Sequence, residues 1–228
     1  DIADFYYKDG KVAAAVIRRE ASPQNIRVLL SDTGYQGYEQ PNVVLTADKP
    51  FILRDGDITK AFQAGEEVTL TPENDLGLFE KGRVYVTTED GGQFTIKSIM
   101  RNGVAPQYRG SLELEKAPNG FIIINEVPFE TYLKGVVPFE MPVSFGLEPL
   151  KVQAVSARSY AYNQFFANRY ADYGAHVDDS TNSQVYNGSQ TQEISDRAVE
   201  ETEGMVVTYG DKVVNANFYS TSAGVTAN

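Results

Sequence analysis

One carboxyl group stands among apolar side chains near the middle of this sequence. Glu140 is flanked by Phe139 and Met141, and Phe145 follows four residues later. Burial among such neighbours disfavours the charged form of a carboxyl group and so raises its pKa. A glutamate that keeps its proton near neutral pH can donate it to a leaving group and then act as a base. The residues alone leave an ordinary surface glutamate as the alternative interpretation.

Two helices are expected to hold Glu140 at the corner between them. The run Pro128–Lys134 is predicted to be a short amphipathic helix, because proline suits a first helical turn. Gly135 weakens that helix, and Pro138 favours extended geometry at the residue before it. A second helix is predicted over about 148–170, where apolar residues recur at steps of three and four along one face.

The first half of the chain predicts short antiparallel strands joined by tight turns. Strands are expected from residue 26, and Asp55-Gly56-Asp57 separates two of them. Asp90-Gly91-Gly92 and Pro118-Asn119-Gly120 each predict a β-hairpin, because Gly or Asn supplies the positive φ that such turns need.

After the long helix, a third helix over about 192–203 is predicted to end at Gly204. A closing hairpin then turns at Gly210-Asp211. The order predicts an α+β fold: an antiparallel β-rich first half with hairpins, then a short helix, a long helix, a third helix and a closing β-hairpin.

Composition excludes several classes of function. The net charge of −11 disfavours nucleic acid as a partner, since phosphate backbones are repelled. Zero cysteines exclude disulfides and thiolate metal sites, and one histidine, His176, excludes a multi-histidine zinc site. No apolar run is long enough to be a transmembrane segment.

From Tyr108 onward the chain carries an ordered series of motifs. They are Tyr108-Arg109-Gly110, Val127-Pro128-Phe129-Glu130-x-Tyr132-Leu133-Lys134-Gly135-Val136-Val137-Pro138-x-Glu140-Met141-Pro142, Leu150–Ala161, Ser180-Thr181-x-x-Gln184-Val185-Tyr186-x-Gly188, Ala198-Val199-x-x-Thr202-x-Gly204 and Tyr219-Ser220-Thr221-Ser222-Ala223-Gly224-x-Thr226. In this order they resemble the stage II sporulation protein D family, also called the amidase-enhancer LytB domain. The resemblance covers about 26–228, leaves 1–25 as an N-terminal extension or linker, and implies a domain that ends early at Asn228.

The resemblance implies a peptidoglycan lytic transglycosylase, which cuts between N-acetylmuramic acid and N-acetylglucosamine and leaves an anhydro-muramyl end. Glu140 matches the family's catalytic glutamate. It would protonate the glycosidic oxygen and then take a proton from the sugar's own primary hydroxyl. Because no water is activated, the second carboxylate of a hydrolase is not obligatory.

The substrate-binding candidates fall on three elements. Gln153 and Tyr160 are seven residues apart and share a helix face, where they could contact a sugar or belong to the core. Arg158 on the same helix is either an ion-pair partner or a group that reaches the Glu140 loop. The remaining candidates lie on a loop and on the last strand: Thr181, Gln184, Tyr186, Ser220 and Ser222.

The sequence also departs from the family. Sporulation-type members often hold a zinc ion near the Ser-Thr-x-x-Gln stretch, but here Asp178, Asn182 and Ser183 replace the Cys and His ligands. We therefore expect no metal and no cofactor.

Two alternative functions stay open. One is a non-catalytic cell-wall-binding module that enhances an N-acetylmuramoyl-L-alanine amidase, and the other is a hydrolase that combines Glu140 with Asp178 or Asp179. The expected partners are peptidoglycan glycan strands and a cell-wall amidase. The resemblance implies an extracytoplasmic protein, secreted or anchored by a segment outside this chain.

Overall fold

The computed structural model describes residues 2–8, 11–19, 24–188 and 190–219, with the backbone alone at 2–7 and 12–19. The described strands, in chain order, are β1 Ile2–Lys8, β2 Lys11–Arg19, β3 Asn25–Leu29, β4 Val43–Ala47, β5 Phe51–Asp55, β6 Ile58–Phe62, β7 Val68–Leu70, β8 Val84–Thr88, β9 Phe94–Ile96, β10 Gln107–Tyr108, β11 Ser111–Ala117, β12 Gly120–Pro128, β13 Val177–Asp178, β14 Thr208–Tyr209 and β15 Lys212–Val213. The described helices are α1 Phe129–Lys134, α2 Val137–Glu140, α3 Leu147–Ala167 and α4 Glu193–Glu200.

Two sheets build the body of the protein. The larger has the strand order β13-β3-β12-β11-β8-β5-β6, and the smaller has the order β10-β9-β4-β7. Apolar side chains alternate with more exposed ones along β4 and β8, as they do when one face of a strand is buried. Strands β1 and β2 pair only with each other within the described ranges.

The main core lies between the sheets and extends under the helices. Val28, Leu45, Val86 and Ile123 from the strands join Ala154 and other residues of α3 in one cluster. A smaller cluster on the other face of β3 and β12 contains Leu29, Ile122, Ile124, Tyr170 and Ala175. Strand β12 is therefore buried on both faces, and it runs directly into α1.

The α+β class is confirmed, and so are most of the hairpins. Strands β11 and β12 pair across Pro118-Asn119-Gly120, and β14 and β15 pair across Gly210 and Asp211, both with positive φ. The long helix and the third helix are also confirmed, although they end at Ala167 and Glu200, about three residues before the ends that the sequence pattern predicts.

The hairpin predicted at Asp90-Gly91-Gly92 is wrong. Strand β8 before the turn pairs with β5 and β11 in the larger sheet, whereas β9 after it pairs with β4 and β10 in the smaller one. Gly91 does adopt positive φ. The turn carries the chain from one sheet to the other, because Phe94 and Ile96 bury their side chains against β4 and the common core.

The expectation for Pro138 is also wrong. Val137 is not extended, since it begins the short helix α2 and Pro138 occupies that helix's first turn. Proline is tolerated there because the first N–H groups of a helix have no partner within the helix. The extended residue is Met141, which ends α2 directly after Glu140.

No helix in the described ranges is both long enough and apolar enough to cross a lipid bilayer.

Close backbone approach at Gly188 gives a test of this packing. A Cβ atom added there would lie 2.0 Å from the carbonyl oxygen of Gln107, and φ is +76°. We expect Gly188→Ala to lower the free energy of unfolding by about 3 kcal/mol, because positive-φ strain and a backbone clash add together.

The control for this substitution is Gly65→Ala. Gly65 has nearly the same φ, +77°, but no heavy atom within 4 Å of the added Cβ. Gly65→Ala should lower the free energy of unfolding by only about 1 kcal/mol, because only the positive-φ strain applies there. Urea unfolding measures both variants, and equal losses would contradict the close approach.

Candidate active site

Glu140 is the last residue of α2 and is half-buried. Its Oε1 accepts a hydrogen bond from the backbone N–H of Val185 at 2.7 Å. Burial raises the pKa of Glu140 above the ordinary glutamate value, and the Val185 hydrogen bond acts in the opposite direction without cancelling the effect. Among the residues described, no cation forms an ion pair with Glu140. The side chain therefore has the environment of a proton donor.

A glycine between α1 and α2 lets these helices pack closely against the segment that carries Val185. Gly135 links α1 to α2, and a Cβ atom there would lie 2.3 Å from the carbonyl oxygen of Gly188 and 2.6 Å from the Tyr186 ring. The segment that carries Val185 can therefore lie directly against the α1–α2 corner. We call residues 178–188 the wall segment.

The wall segment is fixed at its beginning by the larger sheet. β13 is the one strand of that sheet that pairs in parallel, with β3, and it places Asp178 beside Leu29. Asp179 is fully buried, and one carboxylate oxygen accepts the N–H of Ser31 at 2.9 Å. Its other oxygen binds the buried guanidinium of Arg101, with an Nε–Oδ2 distance of 3.2 Å.

Two polar side chains fix the far end of the wall segment. Gln184 accepts a hydrogen bond from the Tyr132 hydroxyl at 3.1 Å, and the Tyr186 hydroxyl donates to Asn125 at 2.8 Å. All four side chains are buried. Gln184 and Tyr186, expected as substrate-binding residues, thus have internal partners and hold Val185 in line with Glu140.

Arg158 also lies inside the protein, with 2% of its surface exposed. Its guanidinium donates to both oxygens of Glu130, at 2.8 and 2.7 Å, and to the carbonyl oxygens of Val199 and Met205. These contacts tie α1, α3 and the end of α4 together. Arg158 was expected either to form an ion pair or to reach the Glu140 loop, and in the structure it forms an ion pair with Glu130.

The other candidates differ in their access to solvent. Gln153 is 5% exposed, and its Nε2 has no hydrogen-bond partner among the described residues. Tyr160 is half-buried, and burial raises the pKa of its hydroxyl. Thr181 is exposed. Ser220 and Ser222 lie outside the described residues.

A cleft of about 540 Å³ is lined by two neighbours of Glu140, although Glu140 itself is not in the lining. Phe139, the residue before Glu140, and Val185, which donates to it, both line this cleft. The full lining is Tyr35, Asn102, Phe139, Ser180, Thr181, Asn182, Val185 and Asn187. The volume lies in the range of about 300–1,000 Å³ that is usual for small-molecule sites.

Two lining residues could not be found from motif spacing. Tyr35 lies on the loop between β3 and β4, and Asn102 lies on the loop between β9 and β10. Both have positive φ, 55° and 52°, which is uncommon for residues other than glycine. Their place in the cleft depends on how the two sheets pack.

Neither candidate second carboxylate, Asp178 or Asp179, is exposed to solvent, although Oδ1 of Asp178 has no hydrogen-bond partner among the described residues. Asp179 is paired with Arg101, and Asp178 is fully buried with Oδ2 accepting hydrogen bonds from Tyr38 and Ser180. Within the described part of the chain, no three side chains of His, Cys, Asp or Glu type cluster closely enough to hold a metal ion.

The chain is similar to known proteins in the region that contains Glu140 and the wall segment. Residues 118–209 match the family model SpoIID, described as Stage II sporulation protein. The matched region begins just before β12 and contains α1, α2, α3, the wall segment and α4.

Three relatives show the same likeness. An uncharacterized protein of Brachyspira hyodysenteriae is 36% identical over 152 residues, which are 66% of this chain and 38% of the relative. The amidase enhancer of Bacillus subtilis is 39% identical over 94 residues, 41% of this chain and 12% of the relative. Stage II sporulation protein D of Bacillus subtilis is 35% identical over 120 residues, 46% of this chain and 35% of the relative. The chain thus spans less than two fifths of these relatives.

The single histidine offers a direct test of the fold around the wall segment. His176 Nδ1 accepts the N–H of Arg27 at 3.0 Å, and its ring packs on Phe165 with centroids 4.1 Å apart. Burial and the nearby Arg27 charge lower the pKa of His176 from 6.5 to about 4. Proton NMR of tag-free protein should therefore show the one imidazole signal titrating near pH 4.

The same protein unfolded in urea is the control, and its histidine should titrate near pH 6.5. The shift also makes the free energy of unfolding decrease as the pH falls from 6.5 towards 4, because only the unfolded chain then takes up the proton. A folded-state titration near 6.5 would place His176 in solvent and contradict its buried contacts.

Proposed function

Since residues 118–209 belong to the stage II sporulation protein D family, we propose that this protein is a peptidoglycan lytic transglycosylase in which Glu140 is both acid and base. The observation that supports this most is the half-buried Glu140 carboxyl, its pKa raised by burial, next to Phe139 and Val185, which both line a cleft. The proposal places residues 26–228 in the catalytic domain, with 1–25 as an extension of it. It also places the protein outside the cytoplasm, where the wall lies.

The first step would be proton donation to the linkage between N-acetylmuramic acid and N-acetylglucosamine. The Val185 N–H occupies Oε1 of Glu140, so Oε2 is the oxygen available to hold the proton. As the glycosidic bond breaks, this proton passes to the departing oxygen of N-acetylglucosamine, and Glu140 becomes a carboxylate. The backbone N–H then stabilises the new negative charge.

The second step would close the anhydro ring. The primary hydroxyl of the muramyl sugar attacks its own anomeric carbon, and its proton returns to Glu140. The catalyst is restored, and no water is consumed. Thr181 lines the cleft, and it remains a proposed substrate-binding residue together with Tyr160, Ser220 and Ser222.

The electrostatic environment favours this route over hydrolysis. A hydrolase needs a second carboxylate to activate water or to attack the sugar. Asp178 and Asp179 are both fully buried, and both already accept hydrogen bonds within the protein. Neither has a solvent-facing oxygen with which to hold a nucleophilic water.

Glu140→Gln tests the proposal. The amide is similar in size but cannot donate and retrieve the proton, so turnover on purified glycan strands should fall by at least about 100-fold. Mass spectrometry of the digest identifies the product, because an anhydro end is one water lighter than a reducing end. Circular dichroism should show that the variant is folded.

Glu148→Gln is the matched control. Glu148 lies at the start of α3, has 79% of its side chain exposed and, among the described residues, forms an ion pair with Lys151 alone. Its replacement should leave the rate within about twofold, because exposed ion pairs contribute little. Retained turnover in Glu140→Gln, or reducing ends in place of anhydro ends, would overturn the assignment of Glu140.

A second candidate function follows from the likeness to the Bacillus subtilis amidase enhancer. In that case the protein would bind wall glycan and stimulate an N-acetylmuramoyl-L-alanine amidase without cutting glycan itself.

Amidase stimulation separates the two candidates. The release of stem peptides by a purified amidase is measured with wild-type protein and with Glu140→Gln. If the protein acts as an enhancer, both should accelerate release equally and produce no anhydro ends. If the protein is a transglycosylase alone, neither should accelerate the amidase on glycan that has already been cut.

A further inference from the structure

We propose that a groove around Arg109, on the other side of the wall segment from the cleft, binds the free carboxyl end of a short peptide. Val185 and Asn187 of the wall segment line the cleft, whereas the alternate residues Tyr186 and Gly188 line this groove. The inference does not rest on the proposed function, because binding in the groove requires no glycan bond to be cut.

Two adjoining cavities form the groove. Their volumes are about 290 and 300 Å³, and Arg109 and Thr131 line both of them. The first cavity also contains Lys134, and the second extends to the turn at Gly91. Each volume is at the lower end of the range of about 300–1,000 Å³ that is usual for small-molecule sites, so the groove suits a short, extended ligand. Arg109 stands where the two cavities meet.

The motif Tyr108-Arg109-Gly110 contains one side chain that the fold itself does not use. Tyr108 is fully buried in the main core. Gly110 has φ +82°, and a Cβ atom there would lie 2.1 Å from the carbonyl oxygen of Glu126. The Arg109 side chain, by contrast, is exposed and forms no ion pair within the described part of the chain. Its charge is therefore available to a ligand.

The backbone at Arg109 is held in place, whereas the charge of its guanidinium is not neutralised. Its carbonyl oxygen accepts a hydrogen bond from the buried Asn125 at 2.8 Å. Nη1 of Arg109 donates a long hydrogen bond, 3.4 Å, to the carbonyl oxygen of Gly91. A guanidinium presents its N–H donors as a planar fork that matches the two oxygens of a carboxylate. A ligand carboxylate can therefore bind Arg109 through two parallel hydrogen bonds.

Other side chains of the groove suit the rest of a peptide end. Lys134 pairs with Glu200 at 2.6 Å, but Glu200 is 61% exposed, so a ligand carboxylate can compete for Lys134 at little cost. Thr131 supplies a hydroxyl that donates and accepts. Asp196 lines the same cavity from α4 and accepts a hydrogen bond from Thr191, while its Oδ1 has no partner among the described residues.

This mixture of charges favours a peptide end over a phosphate group. The last residue of a peptide carries one carboxylate and, next to it, one amide N–H. The carboxylate would pair with Arg109, and the N–H could donate towards Asp196. A phosphate group carries nearly two negative charges at neutral pH, so the charge of Asp196 would repel it more strongly.

Titration of the full chain with N-acetyl-dialanine, followed by proton–nitrogen NMR, tests the proposal. The D,D and L,L isomers are used separately, and at least one should bind with a Kd of about 1 mM or lower. The backbone signals of Thr131, Lys134 and Gly188 should shift, whereas those of Asn102 and Thr181, which line the cleft, should not. Shifts centred on the cleft instead, or no saturable binding of either isomer, would overturn the proposal.

The two isomers distinguish the sources of such a peptide. Stronger binding of the D,D isomer would assign the groove to the stem peptides of the wall, which end in D-amino acids. Stronger binding of the L,L isomer would assign it to the carboxyl end of a protein. Equal binding of the two would support recognition of the carboxyl end itself, whatever its source.

Variants of Arg109 identify the group that binds the carboxylate. Arg109→Ala should weaken binding by at least about tenfold, because the charged fork is lost. Arg109→Lys keeps the charge without the fork, so its affinity should lie between those of wild type and Arg109→Ala. Arg54→Ala is the matched control and should bind as wild type does. Arg54 on β5 is also exposed and without an ion pair among the described residues, but it lines neither cavity.

Ligand chemistry gives a further arm. N-acetyl-dialanine amide lacks the carboxylate and should bind at least about tenfold more weakly than the acid. Equal affinity of the amide and the acid, or of Arg109→Ala and wild type, would overturn the proposal. Tighter binding of inorganic phosphate than of either peptide would do the same, because the groove would then be a general anion site. Glu140→Gln should bind the peptide as wild type does, so the result stands whether or not the protein cuts glycan.

Discussion

The buried ion pair between Arg101 and Asp179 is the constraint on which the site depends. Arg101 comes from the loop after β9 of the smaller sheet, whereas Asp179 directly follows β13 of the larger one. Burial disfavours the charge on Arg101, yet Asp179, with smaller contributions from Tyr108 and Tyr35, keeps the pKa of Arg101 above its ordinary value. A pair with 1% and 0% exposure is costly to break, about 3–5 kcal/mol, because the remaining charge is left buried. The pair thereby fixes the start of the wall segment relative to both sheets.

This fixed position governs the chemistry of Glu140. Val185 reaches the carboxyl only because Asp179 and Tyr186 anchor the wall segment on either side of it. One backbone N–H orients the carboxyl and, in the proposed reaction, would stabilise its anion after proton transfer, but it does not outweigh the burial that raises the pKa of Glu140. A cation at that position would have held Glu140 ionised and removed its ability to donate a proton.

Local patterns in the sequence predicted the helices and turns, whereas long-range packing determined how the strands pair and where Tyr35 lies. The apolar face of α3 and the turn at Pro118-Asn119-Gly120 depend on residues that are close in sequence, and both predictions are confirmed. The turn at Gly91 has equally good local chemistry, but it joins two sheets, because strand pairing is settled by residues far along the chain. Glu140 could be recognised from its apolar neighbours and its motif. Tyr35 could not, because nothing near it in sequence reveals its contact with Asn187, 152 residues away.

The charge distribution explains why such a site would be built from neutral groups. A protein of net charge −11 would be repelled by an anionic wall polymer rather than attracted to it. At physiological salt this repulsion would be screened beyond roughly 8 Å. For the proposed substrate, affinity would then have to come from contacts inside the cleft. Cations placed there could attract the polymer, but they would also lower the pKa of Glu140 and weaken it as an acid. Aromatic and amide groups can bind sugar without acting on that pKa, so in the proposed function a neutral cleft would keep glycan binding compatible with a raised pKa of Glu140.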